Sequence, residues 1–282
     1  MKQNKTFFII AIVLSACTSP KTTQVTSTPT TPLSTAQVAT SVPTATTAPA
    51  YVTPPNTNWH IQYTGDINTN INVGIYNLDL FETDASVIAQ LKERNIFVMC
   101  YFSAGSYEDW RPDINQFPAS VLGNPMEDWQ GETWLDIRQI DLLAPVMEAR
   151  LNLASSKGCH GVDPDNINGY TNETGFPLTY QDQLAYNIWL AESAHARGLS
   201  IGLKNDIEQI PNLVSYFDWQ LNEECFSFQE CDLLLPFIQA GKPVFQIEYE
   251  LSTTEFCEQA KQFGFQSIRK NWQLDEYSET CS

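Results

Sequence analysis

The chain has 282 residues, 43% of them apolar and 17% charged, and a formal net charge of −18. Lys2, Lys5 and Lys21 are its only charges before residue 51, so 12 basic groups face 33 acidic ones over the rest, a net −21. Such a surface repels nucleic acid and anionic lipid and attracts cationic ligands, although solubility alone would also account for it.

At the start, Lys2 and Lys5 precede an apolar run from Phe7 to Leu14 that is too short to span a bilayer. The run closes on LSAC, which resembles a bacterial lipoprotein processing site with Cys17 as the lipid-modified residue; an ordinary secretion signal is the alternative. Both readings export the chain. The first makes residues 1–17 a lipoprotein signal and holds the protein at a cell surface or outer membrane through its N-terminal lipid only. Residues 18–57 are mostly Thr, Ser, Pro, Ala and Val, with Lys21 as the one charge. A segment with so little to bury reads as a disordered tether. Residues 58–282 are then enough for one α/β domain.

That domain carries six cysteines, an even number that in an exported chain points to disulfides. Cys100 with Cys159 would join neighbouring strands, Cys225 with Cys231 would close a tight loop, and Cys257 with Cys281 would pin the C-terminus. Metal binding is the alternative, but the chain contains no Cys-x-x-Cys pair.

From Trp59 onward, β-rich runs alternate with helix-period segments, as in βα units around a parallel sheet. Eight strand candidates follow in order: WHIQYTG from Trp59, NVGIYNLDLF from Asn72, IFVMCYFS from Ile96, CHGVDPD from Cys159, LSIGLKN from Leu199, FDWQLNE from Phe217, PVFQIEY from Pro243 and FQSIRK from Phe265. Between them, Leu142, Val146, Ala149 and Leu153 share one helical face before Gly158, and Leu184, Ile188, Ala191 and Ala194 share another before Gly198. Phe256, Ala260 and Phe263 do the same before Gly264, with Ser252 and Glu255 at capping-box spacing. Eight strands predict a single-domain (β/α)8 TIM barrel. Its first βα unit is reduced, because too few residues separate the first two strands for a crossover helix. A long loop, 104–140, follows strand three and forms one wall of the site. An open doubly wound sheet is the competing fold, but no Gly-rich phosphate fingerprint follows any strand.

GVDPDN, residues 161–166, places Asp163 and Asp165 on one face of an ending strand, and Pro164 stops its pairing. The run DWQLNEEC closes in the same way on Glu223 and Glu224. The other strand ends supply Asn77 and Asp79, Tyr101 and Ser103, Lys204, Asn205 and Asp206, and Glu248 and Tyr249. So many acids and amides belong in a wet polar cleft, because buried charge must be paired or neutralised. Asp79, Tyr101, Ser103, Asp136, Asp163, Lys204, Asn205 and Glu248 form the expected substrate-binding set. Two carboxylates across a cleft are the equipment of glycoside hydrolysis, one protonating the leaving oxygen while the other attacks or activates water. Trp59, Tyr76, Tyr107, Trp110 and Trp134 are candidates for stacking on sugars. Three histidines without His-x-His or His-Glu-x-x-His spacing argue against zinc, and no Gly-x-Ser-x-Gly elbow is present. No cofactor is expected, and a magnesium site on Asp163, Asp165 and Glu223 is the alternative use of the acids.

WHIQYTG, YNLDLFET, YFSAGSYEDWRPD, WLDIR, GVDPDN, LKND, LNEEC and VFQIEY, in that order, resemble glycoside hydrolase family 114, the endo-α-1,4-polygalactosaminidases. The resemblance implies a (β/α)8 barrel cutting internal α-1,4 bonds in galactosamine-containing polysaccharide. By motif it carries the nucleophile to Asp165 and the acid/base to Glu223, a choice that strand parity alone leaves open against Asp163 and Glu224. It also gives the negative charge a use, since deacetylated galactosamine is cationic. The expected partner is that polysaccharide, met by a monomer. A surface protein that holds oligosaccharide without cutting it is the other reading.

Overall fold

The computed structural model describes residues 50–281. The expected signal, Cys17 and all of the tether before residue 50 lie outside the described residues. In chain order the elements are β1 (Trp59–Gln62), β2 (Ile75–Asp79), α1 (Ala85–Glu93), β3 (Phe97–Ser103), β4 (Ser106–Glu108), β5 (Leu122–Pro125) and β6 (Glu132–Leu135). There follow α2 (Ile140–Lys157), β7 (Gly161–Asp165), α3 (Tyr180–His195), β8 (Ser200–Lys204), α4 (Ile210–Leu213) and β9 (Trp219–Glu223). The chain closes with α5 (Leu235–Gln239), β10 (Val244–Glu248), α6 (Thr253–Phe263), β11 (Gln266–Arg269) and β12 (Glu279–Thr280).

The strands β1-β2-β3-β7-β8-β9-β10-β11 pair in parallel in that order, and β12 adds an antiparallel edge to β11. They are buried on both faces, which is why they read as near-continuous apolar runs. One face packs against the helices. On the other, Trp59, Ile61, Ile75, Phe97 and Met99 from the first three strands form a single cluster with Trp219, Leu221, Phe245, Ile247 and Ile268 from the last three. A flat sheet cannot bring its two ends together on one face, so this one is curled. Trp59 Nε1 donates to the Gln266 carbonyl at 2.8 Å, and the Phe97 and Trp219 ring centres lie 6.3 Å apart across the curl. Two glycines make that interior possible. A Cβ on Gly202 would sit 2.2 Å from Trp219 Nε1, and one on Gly161 2.7 Å from the same indole. Disulfides join Cys100 to Cys159, Cys225 to Cys231 and Cys257 to Cys281.

The structure departs from the sequence expectations in three places. The stretch after β3 is no plain loop: β4, β6 and β5 pair there into a separate antiparallel sheet. The buried face of α2 is Leu143, Val146, Met147, Arg150, Leu151 and Ala154, with Leu142 and Ala149 exposed. Arg150 turns the helix inward because its guanidinium takes both oxygens of Asp113 (2.8 and 2.9 Å) and the Ser103 carbonyl (2.6 Å). Similarly, α3 buries Gln183, Tyr186 and Asn187, while Leu184 and Ile188 are only half-buried. Tyr186 donates to the Ala104 carbonyl (2.6 Å) and Asn187 to the Ile167 carbonyl (3.0 Å), satisfying loop backbone that would otherwise be buried unpaired. The third helix is as expected, with Ser252 and Glu255 forming a capping box and Phe256 and Ala260 buried.

Candidate active site

Parallel pairing puts the C-terminal ends of β7, β8 and β9 side by side, and each ends on a charged residue: Asp165, Lys204 and Glu223. The ammonium of Lys204 lies between the other two, 3.1 Å from Asp165 Oδ2 and 3.3 Å from Glu223 Oε2. Lys204 is buried, which by itself would favour the neutral amine. The attraction of Asp165, Glu223 and Asp163 outweighs that and holds it above the usual lysine range, hence charged. For Glu223, burial pushes the carboxyl up. Lys204 and hydrogen bonds from Tyr249 and Asn205 pull it down further, leaving it below the ordinary range. Asn205 grips Glu223 twice, donating Nδ2 to Oε2 (3.1 Å) and accepting the Glu223 amide on Oδ1 (2.9 Å). Tyr249 O–H donates to Oε1.

Asp163, fully buried behind Asp165, accepts from Asn77 Nδ2 (2.7 Å) and Tyr63 O–H (3.2 Å) on Oδ2, while Oδ1 has no hydrogen-bond partner among the described residues. Burial pushes this carboxyl up to about 6 even with Lys204 drawing it down. Asp163 and Asp165 thus share a face, as strand parity requires, but occupy different environments: one enclosed, the other facing Lys204 at the rim.

Each of these strand ends is followed by backbone in the left-handed region: Asn166 (φ 60°), Asn205 (φ 50°), Asp206 (φ 42°) and Glu224 (φ 63°). Non-glycine residues accept that conformation only where their surroundings enforce it. At Asn166 the enforcement is visible. Ala104 and Gly105 amides hold the Asp165 carbonyl (2.9 and 3.1 Å), and a Cβ on Gly105 would lie 1.7 Å from the Asn166 oxygen. Asn166 Nδ2 donates to Ser103 Oγ (2.9 Å), and its own amide donates to Asp165 Oδ1 (2.7 Å). Ser103 Oγ also accepts the Ser106 amide (3.1 Å), so its proton goes to Ser106 Oγ (2.6 Å), and Ser106 donates to Glu132 Oε2 (2.5 Å). The inserted sheet is thereby fastened to the loop behind Asp165. Glu132 stands opposite Glu108 in the β4–β6 register, and burial pushes its carboxyl up to about 7.

Of the expected binding set, Asp163, Lys204 and Asn205 meet around Asp165 and Glu223, and Tyr101 lies beneath them with its ring centre 5.9 Å from Lys204 Nζ. Ser103 pairs with Asp165 in the β3–β7 register, and its hydroxyl holds Asn166 and not the carboxylates. Three others have different partners: Asp79 holds Arg111 (3.0 and 2.7 Å), Asp136 holds Arg138 (2.7 and 2.8 Å), and Glu248 accepts the Phe226 amide and the Ser227 hydroxyl. Asp79 neutralises the buried Arg111, Asp136 pairs with the exposed Arg138, and Glu248 is satisfied by neutral donors, so acidity at a strand end was an insufficient signal. Among the stacking candidates, Trp59, Tyr76 and Trp134 are core residues and Tyr107 packs on Phe117, leaving Trp110 at 50% exposure. Tyr63 was missed as a direct partner of a carboxylate, and Tyr249, although it stands at a strand end, was left out of the expected binding set. The magnesium alternative loses its place, because the cation between Asp165 and Glu223 is Lys204. A cleft of about 350 Å³ opens beside Glu223, lined by Tyr170, Asn205, Glu208, Glu224, Phe228 and Glu230 among others. A depression of about 450 Å³ against the Cys225–Cys231 disulfide includes none of the residues gathered around Lys204.

The family model for glycoside-hydrolase family GH114 matches residues 41–282. This chain belongs to that family. The crystal structure of Aspergillus fumigatus Ega3 in complex with galactosamine is 42% identical, covering 84% of this chain and 99% of its own, with a TM-score of 0.78. The glycoside hydrolase domain of PelA from Pseudomonas aeruginosa shares the fold at 13% identity, covering 79% of this chain and 98% of its own, with a TM-score of 0.63. No curated protein matches. A GH114 chain with so near a structural relative is a glycoside hydrolase, with a curled parallel α/β sheet as its frame.

Proposed function

We propose that this hydrolase cuts internal α-1,4 bonds of galactosamine-containing polysaccharide with retention, using Asp165 as nucleophile and Glu223 as acid/base. The observation that carries the reading is Lys204 between the two carboxylates. Two carboxylate oxygens drawn to one ammonium nitrogen, at 3.1 and 3.3 Å, favour the close spacing of direct attack over the wider gap that an intervening water needs. In the first step Asp165 Oδ attacks the anomeric carbon as the glycosidic bond breaks, and Glu223 gives its proton to the leaving oxygen. In the second, water attacks the glycosyl ester, Glu223 takes the proton, and Asp165 leaves as carboxylate. Once Asp165 is esterified its charge is gone, and Glu223 is the carboxylate left in direct contact with Lys204, which favours the ionised form that must act as base. The galactosamine bound to Ega3 supports an amino sugar as substrate. The acidic chain, net −21 after residue 50, would gather a cationic polymer at the cleft.

The curled sheet is read as a complete (β/α)8 barrel whose first βα unit lacks its helix, with residues 58–282 as the catalytic domain of a monomer. Residues 1–17 are read as a lipoprotein signal and 18–57 as the tether, with Cys17 carrying lipid at a cell surface or outer membrane. The three disulfides suit that oxidising side. Metabolic labelling with a fatty acid should mark the wild-type chain and spare Cys17→Ser; equal labelling would remove the anchor from the account.

The test of activity is mass spectrometry after incubating the full chain with partly deacetylated galactosamine polymer. Oligosaccharides from the wild type, absent with Asp165→Asn and Glu223→Gln and unchanged by EDTA, are expected. Binding without fragments would return the protein to the capture reading, and loss of activity in EDTA would return the acids to a metal.

A further inference from the structure

The two oxygens of Glu223 face different ways. Oε2 meets Asn205 and Lys204, on the Asp165 side, and Oε1 meets the hydroxyl of Tyr249. Tyr249 is in turn covered by Trp272, whose ring lies 4.2 Å away and 16° from parallel, and Trp272 Nε1 donates to Glu250 Oε1 at 2.9 Å. The indole is stacked on one side and tied at its edge, yet Trp272 is 46% exposed. The loop carrying it is equally fixed. Lys270 Nζ donates to the Asp275 carbonyl (2.6 Å), Asn271 Nδ2 to both Asp275 oxygens (3.2 and 3.1 Å), and the Leu274 carbonyl accepts the Tyr63 amide (2.8 Å). A large aromatic held rigidly with its ring in solvent, one residue removed from a carboxylate of the reacting pair, is the arrangement that recognises a ligand rather than one that stabilises a fold.

We infer that Trp272 is the stacking platform for the leaving-group sugar, taking the apolar face of a hexosamine while Glu250 meets its ammonium. The inference rests on the proposed roles of Asp165 and Glu223. If Asp165 captures the anomeric carbon, the sugar on the Lys204 side is the one retained, and the sugar on the Tyr249 side departs with the proton of Glu223. The galacto configuration suits the platform. Its axial 4-hydroxyl leaves the C3, C4 and C5 hydrogens together on one face as an apolar patch, which a gluco-configured sugar lacks. An ammonium at the edge of that sugar is attracted both by the indole face and by carboxylates. Glu224 adds to that attraction, since burial and the neighbouring Glu248, Glu223 and Glu250 push its carboxyl up, a strain that a cation relieves.

The experiment compares the full chain with Trp272→Ala and Trp272→Phe. Trp272→Ala should raise KM about tenfold with kcat within about threefold, and Trp272→Phe should recover most of the loss. In the Glu223→Gln background, tryptophan fluorescence titrations should show galactosamine oligomers binding more tightly than glucosamine oligomers, with the difference collapsing when Trp272 is also alanine. An unchanged KM in a Trp272→Ala chain that melts like wild type, or an undiminished preference for the galacto oligomer, overturns the platform. If the wild type makes no fragments, the proposed activity fails instead, and the titrations still decide whether Trp272 holds sugar.

Discussion

Glu223, half-buried, and Glu132, buried, are carboxyl groups flanking Asp165, and their protons are held in opposite ways. Glu223 has a share of the Lys204 ammonium and two further hydrogen-bond donors, Tyr249 and Asn205, and lies below its ordinary range. Glu132 has the Ser106 hydroxyl and the more distant Asn166 amide (3.4 Å), faces Glu108, and is pushed up to about 7. Burial is the largest cause for both. What separates them is one cation: Arg111 could have served Glu132 but is spent on Glu108 (2.7 Å) and Asp79. A carboxyl in this corner is an ion where a charge is supplied and an acid where it is not.

The largest effect follows from erasing the ionised side. Asp165→Asn and Glu223→Gln should each lower kcat by about 10⁴-fold or more in a reducing-end assay, with folding intact. Next, Lys204→Met leaves Asp165, Glu223 and Asp163 together without a cation. It should destabilise the protein by about 3–5 kcal/mol at neutral pH, a loss recovered in acid as the carboxyls take up protons. Chemical denaturation at two pH values checks this, and an equal loss at both would show that Lys204 acts by packing alone.

The pH dependence sharpens the contrast further. Because Glu223 is held below the usual range, the form that can protonate a leaving oxygen is scarce at neutrality, so kcat/KM should fall about tenfold per pH unit as pH rises through that region. Glu132 behaves differently. Its folded value of about 7 lies above the unfolded carboxylate range, so the folded state binds the extra proton between about 4.5 and 7. Stability from this group is therefore present in acid and lost as pH rises through that window. Glu132→Gln, neutral at every pH, should melt a few degrees above wild type at pH 8 and alongside it in acid. A wild-type advantage at pH 8 would mean that Glu132 works as an ion.

The sequence made the ionised side readable and the neutral side obscure for a physical reason. Strand ends announce themselves when an apolar run stops on alternating acids, as at Asp163 and Asp165, and their parallel order brings Lys204 and Glu223 alongside. The capping box at Ser252 is equally local. Nothing local indicates that Arg150 and Asn187 belong in the core, since each is drawn there by a partner far away in the chain, and apolar periodicity therefore misplaces both helix faces. The inserted sheet was hidden because β4, β5 and β6 are three or four residues long and separated by turns, too short for alternation to show. Trp272 lies beyond the last parallel strand, where no pattern points toward the cleft.

The most direct measurement of the central claim is the anomeric configuration of the first products, followed by proton NMR while wild-type enzyme cuts the galactosamine polymer. Asp165 and Glu223 sharing Lys204 predict α-configured ends that appear first and mutarotate later. Ends that appear first as β would mean that water, not Asp165, attacks the sugar, and would contradict the account.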